Sequence, residues 1–206
     1  PTFTLVQAYA LRIPVSHFDL YRLGDPSELD ELGFDEALDS GICLVEWPEM
    51  ADELLPSSRL TLRLEHQNDG RFATLTGPEA ALKRIRRSLA IRDTLDNWGH
   101  AGAKRRYLTG DASVRAYETV TCANGQSVIL MDWPRQPEGP AVLDGKPYPK
   151  VAHLAEDAYP FVALSIYLRE IGLAAPQVLE ADYEAGILLL EDLGQVPGGI
   201  CQKLVE

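Results

Sequence analysis

Two sets of apolar residues within one helical stretch decide how many cores this chain builds. Leu82, Ile85 and Leu89 fall on one helical face, and Ile91, Leu95 and Trp98 on another. At about 100° per residue the two faces are rotated by roughly 150°. A single helix carrying both must serve two cores, or the chain breaks near Ser88. Either way the boundary falls in residues 86–92. The 206 residues then divide into two modest domains, 1–87 and 88–206.

The first part reads as alternating strands and helices, an α/β pattern. TFTLVQAY and IPVSHFDL are strand-like. DPSELDELGFDEALDSG reads as one short helix, with Asp25 as N-cap, Pro26 in the first turn, Glu28 three residues on and Gly41 at its end. ICLVEW is a continuous apolar run suited to a strand buried on both faces. SRLTLRLEH and RFATLTG alternate around Asn68-Asp69-Gly70, a hairpin signal.

The second part has an α+β pattern. Val114–Thr121 and Ser127–Met131 read as strands around an Asn124-Gly125 turn, and an exposed Pro- and Gly-rich loop follows from Pro134 to Pro149. PFVALSIYLREIG places Phe161, Leu164, Leu168 and Ile171 at helical spacing before Gly172. PQVLEAD and GILLLEDLG read as two more strands. The expected result is a small antiparallel sheet with one helix on it.

Composition excludes several classes. A net charge of −12 disfavours a whole-surface grip on nucleic acid, which needs phosphate-neutralising Lys and Arg. No apolar run reaches the length of a membrane span, and PTFTLVQAYALRIPV does not read as a signal peptide. Cys43, Cys122 and Cys201 show no metal-ligand spacing, which argues for a reducing, cytoplasmic compartment. The four histidines form no recognisable ligand pair, and the basic run Lys83–Arg87 reads as a solvated helix face.

Two strand ends could carry chemistry. VSHFDLYR runs an apolar strand into Asp19, and CLVEWP runs another into Glu46 before Trp47 and the strand-stopping Pro48. Adjacent strands of an α/β sheet ending this way deliver both carboxylates to one crevice at the carboxyl edge. There they could bind magnesium and orient a water toward a phosphate. The bland alternatives are a surface pair between Asp19 and Arg22, and core packing for Trp47.

PTFTLV, HFDLYRLGDPSELDELGFDEAL and GICLVEWPEMADELLP together resemble the P-loop ATPase subunit of bacterial tRNA threonylcarbamoyladenosine biosynthesis, over about the first 80 residues. The resemblance implies a partial P-loop NTPase sheet, ATP and Mg2+ as cofactors, and partner protein subunits that make the tRNA modification, with tRNA itself met only indirectly. It implies Thr2 as a switch-like residue near the γ-phosphate and Asp19 as the magnesium residue. Glu46 and Trp47 would line the catalytic side. The Walker A pattern G-x-x-x-x-G-K-[ST] occurs nowhere in the 206 residues, so this stretch alone is expected to bind ATP weakly or not at all.

GDASVRAYETV, SVILMDWP, LREIGLAAPQVLEAD and GILLLEDLG look like the N-terminal lobe of aminoglycoside phosphotransferase-like kinases, nearest in pattern to members acting on cell-wall amino sugars. That resemblance implies a kinase-like lobe for a small-molecule sugar substrate. Gly110, Asp111, Ser113 and Arg115 would lie over the phosphates, and the backbone from Glu191 to Leu193 would meet adenine. The third strand carries Met131 and Asp132 where a phosphate-binding lysine is usual. With no initiator Met and a first strand that opens at Pro1, the chain is expected to be an internal piece of a bifunctional protein. The alternatives are a nucleotide-independent adaptor keeping both folds, and a stand-alone hydrolase using Asp19 and Glu46.

Overall fold

The computed structural model describes residues 4–108, 115–135, 139–152 and 155–194. The chain separates into two units, Pro1–Arg84 and Ile85–Glu206. Each builds its own sheets.

In the first unit β1 (Val6–Tyr9), β2 (Val15–Asp19) and β3 (Ile42–Glu46) form a sheet in that order. β1 runs antiparallel to β2, and β2 parallel to β3, so the sheet is mixed. A parallel pair needs a crossover. Here α1 (Glu28–Glu31) and α2 (Phe34–Ser40) supply it. The predicted single helix is two, because Gly33 adopts φ 71° between them, a left-handed conformation open to glycine. α1 also starts after Ser27 rather than Asp25, since Asp25–Glu28 and Pro26–Leu29 first close as separate turns. Asp25 still works at this entry: its Oδ1 accepts the Ser27 N–H at 2.9 Å, and its own N–H donates to Glu28 Oε1 at 3.1 Å.

Phe18, Leu20, Leu29 and Phe34 centre this core, with Phe18 and Phe34 edge to face at 5.1 Å. Gly41 enters β3 under the Pro14 carbonyl, where a Cβ would lie 2.2 Å from the oxygen. The run ICLVEW is not buried on both faces. Cys43 and Val45 pack into the core, but Ile42 and Leu44 are 47% and 54% exposed on the other face. β4 (Thr61–Gln67) and β5 (Gly70–Thr76) form the predicted hairpin, Gln67 opposite Gly70. It is a separate two-stranded sheet with Leu62, Leu64 and Phe72 exposed.

α3 (Glu79–Asn97) runs unbroken through Ser88. Ile91 and Leu95 are buried and Trp98 packs beside them. Leu82 and Ile85 are half-buried and Leu89 is exposed.

The second unit holds a five-stranded antiparallel sheet of β6 (Lys104–Leu108), β7 (Ala116–Thr121), β8 (Ser127–Asp132), β11 (Val178–Asp182) and β12 (Ile187–Glu191), in the order β11–β12–β8–β7–β6. From Gly139 on, the described part of the Pro- and Gly-rich stretch is not all loop. It folds β9 (Ala141–Leu143), β10 (Lys146–Pro147) and α4 (Tyr148–Val151) around an Asp144-Gly145 turn with φ 49° and 71°. α5 (Tyr159–Glu170) follows. Its packed face carries Val162 and Ser165, flanked by Phe161, whereas Leu164 and Ile171 are exposed.

Two helices, rather than the expected one, cover this sheet. Ile187 and Leu189 of β12 pack with Ile91 and Leu95 of α3, and Leu188 and Leu190 pack with Val162 of α5. Strict alternation thus buries β12 on both faces.

Candidate functional site

The alternation of β2 sends Phe18 into the core and leaves His17 and Asp19 on the opposite face. On β3 the same alternation buries Val45 and turns Leu44 and Glu46 the other way. The parallel register pairs Asp19 with Glu46, and His17 with Leu44. Partners in a parallel ladder share a face, so Asp19 and Glu46 project to the same side where β2 and β3 end.

Local contacts fix each one. Asp19 caps the short 3-10 turn Leu20–Arg22 by accepting the Tyr21 N–H on Oδ1 at 3.2 Å. Glu46 accepts from His17 Nε2 on Oε1 at 2.9 Å. Trp47 then takes φ 57° and ψ 51°, a left-handed conformation rare for a bulky residue. Pro48 behind it disfavours the ordinary helical alternative and opens the turn Pro48–Met50. Strain of this kind concentrates at functional sites. Trp47 is not a core residue: its ring is half-exposed against Tyr21, at 4.9 Å between centroids.

Among the described residues no three of His, Cys, Asp or Glu stand together as a metal-binding group. Two carboxylates suit another mode. Magnesium is commonly held by one or two carboxylates together with waters and substrate phosphates. Asp19 and Glu46 fit that donor set, and they do not form an all-protein cage. Thr2 lies outside the described residues, as do Gly110, Asp111 and Ser113.

In the second unit the Arg115 guanidinium lies 4.1 Å from the centre of the Trp133 ring. Glu191 is engaged with the edge of β11. Its N–H donates to the Gln177 carbonyl at 2.8 Å, and its Oε2 accepts from Gln177 N at 3.1 Å and from Arg169 at 3.2 Å. Leu193 is exposed beyond the strand. The register sets Ala116 opposite Asp132 and Glu191 opposite Val128. Arg115, one residue before Ala116, and Glu191 therefore stand at opposite ends of β8, about 17 Å apart along a strand rising about 3.3 Å per residue.

Two features escaped the sequence reading. The basic run is not wholly solvated: Arg87 donates from Nε at 3.0 Å and Nη2 at 2.5 Å to Asp132 Oδ1, and from Nη2 to the Ala185 carbonyl at 2.7 Å. Asp132 thus ties β8 to α3. His17, which belongs to no ligand spacing, touches Glu46 across 29 residues of sequence.

Comparison with known proteins gives separate resemblances. Residues 1–73 match the family "Threonylcarbamoyl adenosine biosynthesis protein TsaE". The tRNA threonylcarbamoyladenosine biosynthesis protein TsaE of Rickettsia conorii is 46% identical over 66 residues, 32% of this chain and 38% of that protein. The Bacillus subtilis protein of that name is 35% identical over 100 residues, 47% of this chain and 62% of its own length. The N-acetylmuramate/N-acetylglucosamine kinase of Caulobacter vibrioides is 43% identical over 107 residues, 47% of this chain and 29% of the kinase. The crystal structure of Bacillus subtilis YdiB is similar over 45% of this chain and 60% of its own, at 30% identity and a TM-score of 0.36. The chain thus spans well under half the length of the Rickettsia relative it matches.

Proposed function

We propose, from the premise that residues 1–73 are a TsaE-family segment, that the chain is a stretch of a bifunctional protein. Residues 1–87 carry the later part of an ATPase serving tRNA threonylcarbamoyladenosine formation. Residues 88–206 carry the N-terminal lobe of an amino-sugar kinase, to which we assign the similarity with the Caulobacter enzyme. The protein works in the cytoplasm on ATP and Mg2+. Its ATPase part meets protein subunits of the modification machinery and reaches tRNA through them.

One observation carries the ATPase reading: Asp19 and Glu46 are register partners on parallel strands, at the edge where such sheets take ligands. Asp19 holds the magnesium, Glu46 accepts a proton from the attacking water, and Trp47 walls that side against solvent. A bound Mg2+ would supply neutralisation of the phosphate charge. The order β11–β12–β8–β7–β6, with α5 between β8 and β11, supports a kinase-type lobe. In that lobe Arg115 serves the phosphate end of an extended nucleotide. Adenine is met beyond Glu191, in the Leu193 backbone, because the Glu191 N–H is already committed to Gln177.

The test uses the full-length protein with its upstream and downstream chain. Asp19→Asn weakens magnesium-dependent nucleotide binding, whereas Glu46→Gln lowers turnover by about 100-fold with binding kept. Normal ATP hydrolysis by both variants would remove these roles. Absence of phosphate transfer to N-acetylglucosamine or N-acetylmuramate would remove the kinase assignment. The exposed Ile42 and Leu44 favour the adaptor as a second reading, in which Mg-ATP leaves the full-length protein's melting temperature unchanged.

A further inference from the structure

We infer that His17 is a positioning residue for Glu46, an inference that rests on the ATPase reading above. The contact joins residues that are not register partners. Glu46 stands opposite Asp19, and His17 opposite Leu44. With strands about 4.8 Å apart and about 3.3 Å of rise per residue, the His17 and Glu46 Cα atoms are diagonal neighbours at about 8 Å. The side chains bridge that diagonal with Nε2 and Oε1 at 2.9 Å.

Electrostatics selects the diagonal. A glutamate extended toward its register partner would set its charge beside the Asp19 carboxylate, and like charges repel. The imidazole offers an alternative two residues back on the same face. An ionised carboxylate only accepts, so the Nε2 carries the proton. That hydrogen bond occupies Oε1 and leaves Oε2 to accept from a substrate water.

The imidazole is itself well held. It stands on β2 between Ser16 and the buried Phe18, and its side chain is 20% exposed against 58% for Glu46. A long, mostly exposed glutamate would otherwise sample many rotamers. A group fixed on a strand holds a reacting geometry more closely than one left free. A misplacement of about 1 Å can lower a rate by about 100-fold. His17 touches Glu46 and need not touch the nucleotide, so its removal should appear in turnover and not in nucleotide affinity.

The experiment compares His17→Ala, His17→Gln, Glu46→Gln and the double variant His17→Ala/Glu46→Gln in the full-length protein. His17→Ala is expected to lower kcat by about 10- to 100-fold with KM for ATP unchanged. His17→Gln, whose amide can donate along the same diagonal, recovers most of that loss. In the Glu46→Gln background His17→Ala has no further effect. A readout independent of turnover is the imidazole 15N spectrum: His17 is expected as the Nε2–H form, with that signal shifted by Glu46→Ala. Equal losses from His17→Ala in both backgrounds, unchanged kcat in His17→Ala, or an Nε2 signal blind to Glu46→Ala would each overturn the inference. Full turnover in Glu46→Gln would instead overturn the ATPase reading on which it rests.

Discussion

β3 and β12 are nearly the same word, ICLVE and ILLLE, and the two units use them in opposite ways. β12 lies inside a five-stranded sheet with a helix on each face, and Ile187 to Leu190 are at most 3% exposed. β3 is the last strand of its sheet, and Ile42 and Leu44 face outward. Both strands end on a glutamate. Glu191 ties the start of β11 to its own strand, while Glu46, among the described residues, reaches a histidine on the face opposite its core. An apolar run therefore states how much burial a strand can accept. Its neighbours decide how much it receives. Both glutamates are partly exposed, 43% and 58%, and they differ in their partners: Glu191 is tied to the backbone at the start of the neighbouring strand, Glu46 to a side chain.

The largest effects should separate the two strands. Leu189→Ala, in the covered sheet, should cost about 2–5 kcal/mol in denaturant unfolding. Leu44→Ala on the open face should stay within about 0.5 kcal/mol. Similar losses would mean that the open face is covered too. Gly186 sharpens the contrast at β12: it has φ 65°, and a Cβ there would meet the Trp133 carbonyl oxygen at 2.1 Å. Gly186→Ala should therefore displace the start of this strand and lower the melting temperature.

Ion pairs give a second, smaller contrast. Arg87 and Asp132 in the second unit are 25% and 16% exposed, while Arg59 and Asp52 in the first are 33% and 61% exposed. Arg87→Met strands the Asp132 carboxylate and should cost about 2–3 kcal/mol. Arg59→Met should cost less than about 1 kcal/mol. Thermal melts at low and high salt distinguish them, since only the surface pair is strongly screened.

The smallest effect concerns Cys43, on the core face of β3. Burial raises its thiol pKa above the ordinary 9.0. A raised folded value favours the protonated form, so this contribution is intact below the unfolded pKa. It is lost as pH rises through the folded one. Cys43→Ser should flatten the decline of stability above about pH 9, and alkylation of Cys43 should run slower in the folded chain than in the unfolded one.

The sequence signals that held were those written locally. The hairpin at Asn68-Asp69-Gly70 needs only alternation and a turn. The ends of β2 and β3 at Asp19 and Glu46 follow from apolar runs meeting polar residues and Pro48. The failures have physical causes. β6 is spelled KRRYL, and its charges conceal an edge strand in which Arg105 is tied to Glu118. The single helix expected over DPSELDELGFDEALDSG breaks at Gly33, which takes a left-handed φ of 71°. The Asp144-Gly145 hairpin was hidden among prolines that suggested an irregular loop. Arg87 with Asp132, and His17 with Glu46, are 45 and 29 residues apart, and only the folded register brings them together. Of the candidate site, the carboxylates were legible and the imidazole that holds one of them was not.

The central claim is that Asp19 and Glu46 form the magnesium side of a nucleotide site, and a thermal melt of the full-length protein with Mg-ATP tests it most directly. At a hundred times the dissociation constant the nucleotide should stabilise the wild type by about 2.7 kcal/mol. Asp19→Asn, at the same concentration, should lose most of that gain. A wild type that melts at the same temperature with and without Mg-ATP, or an Asp19→Asn variant stabilised as much as the wild type, would contradict it.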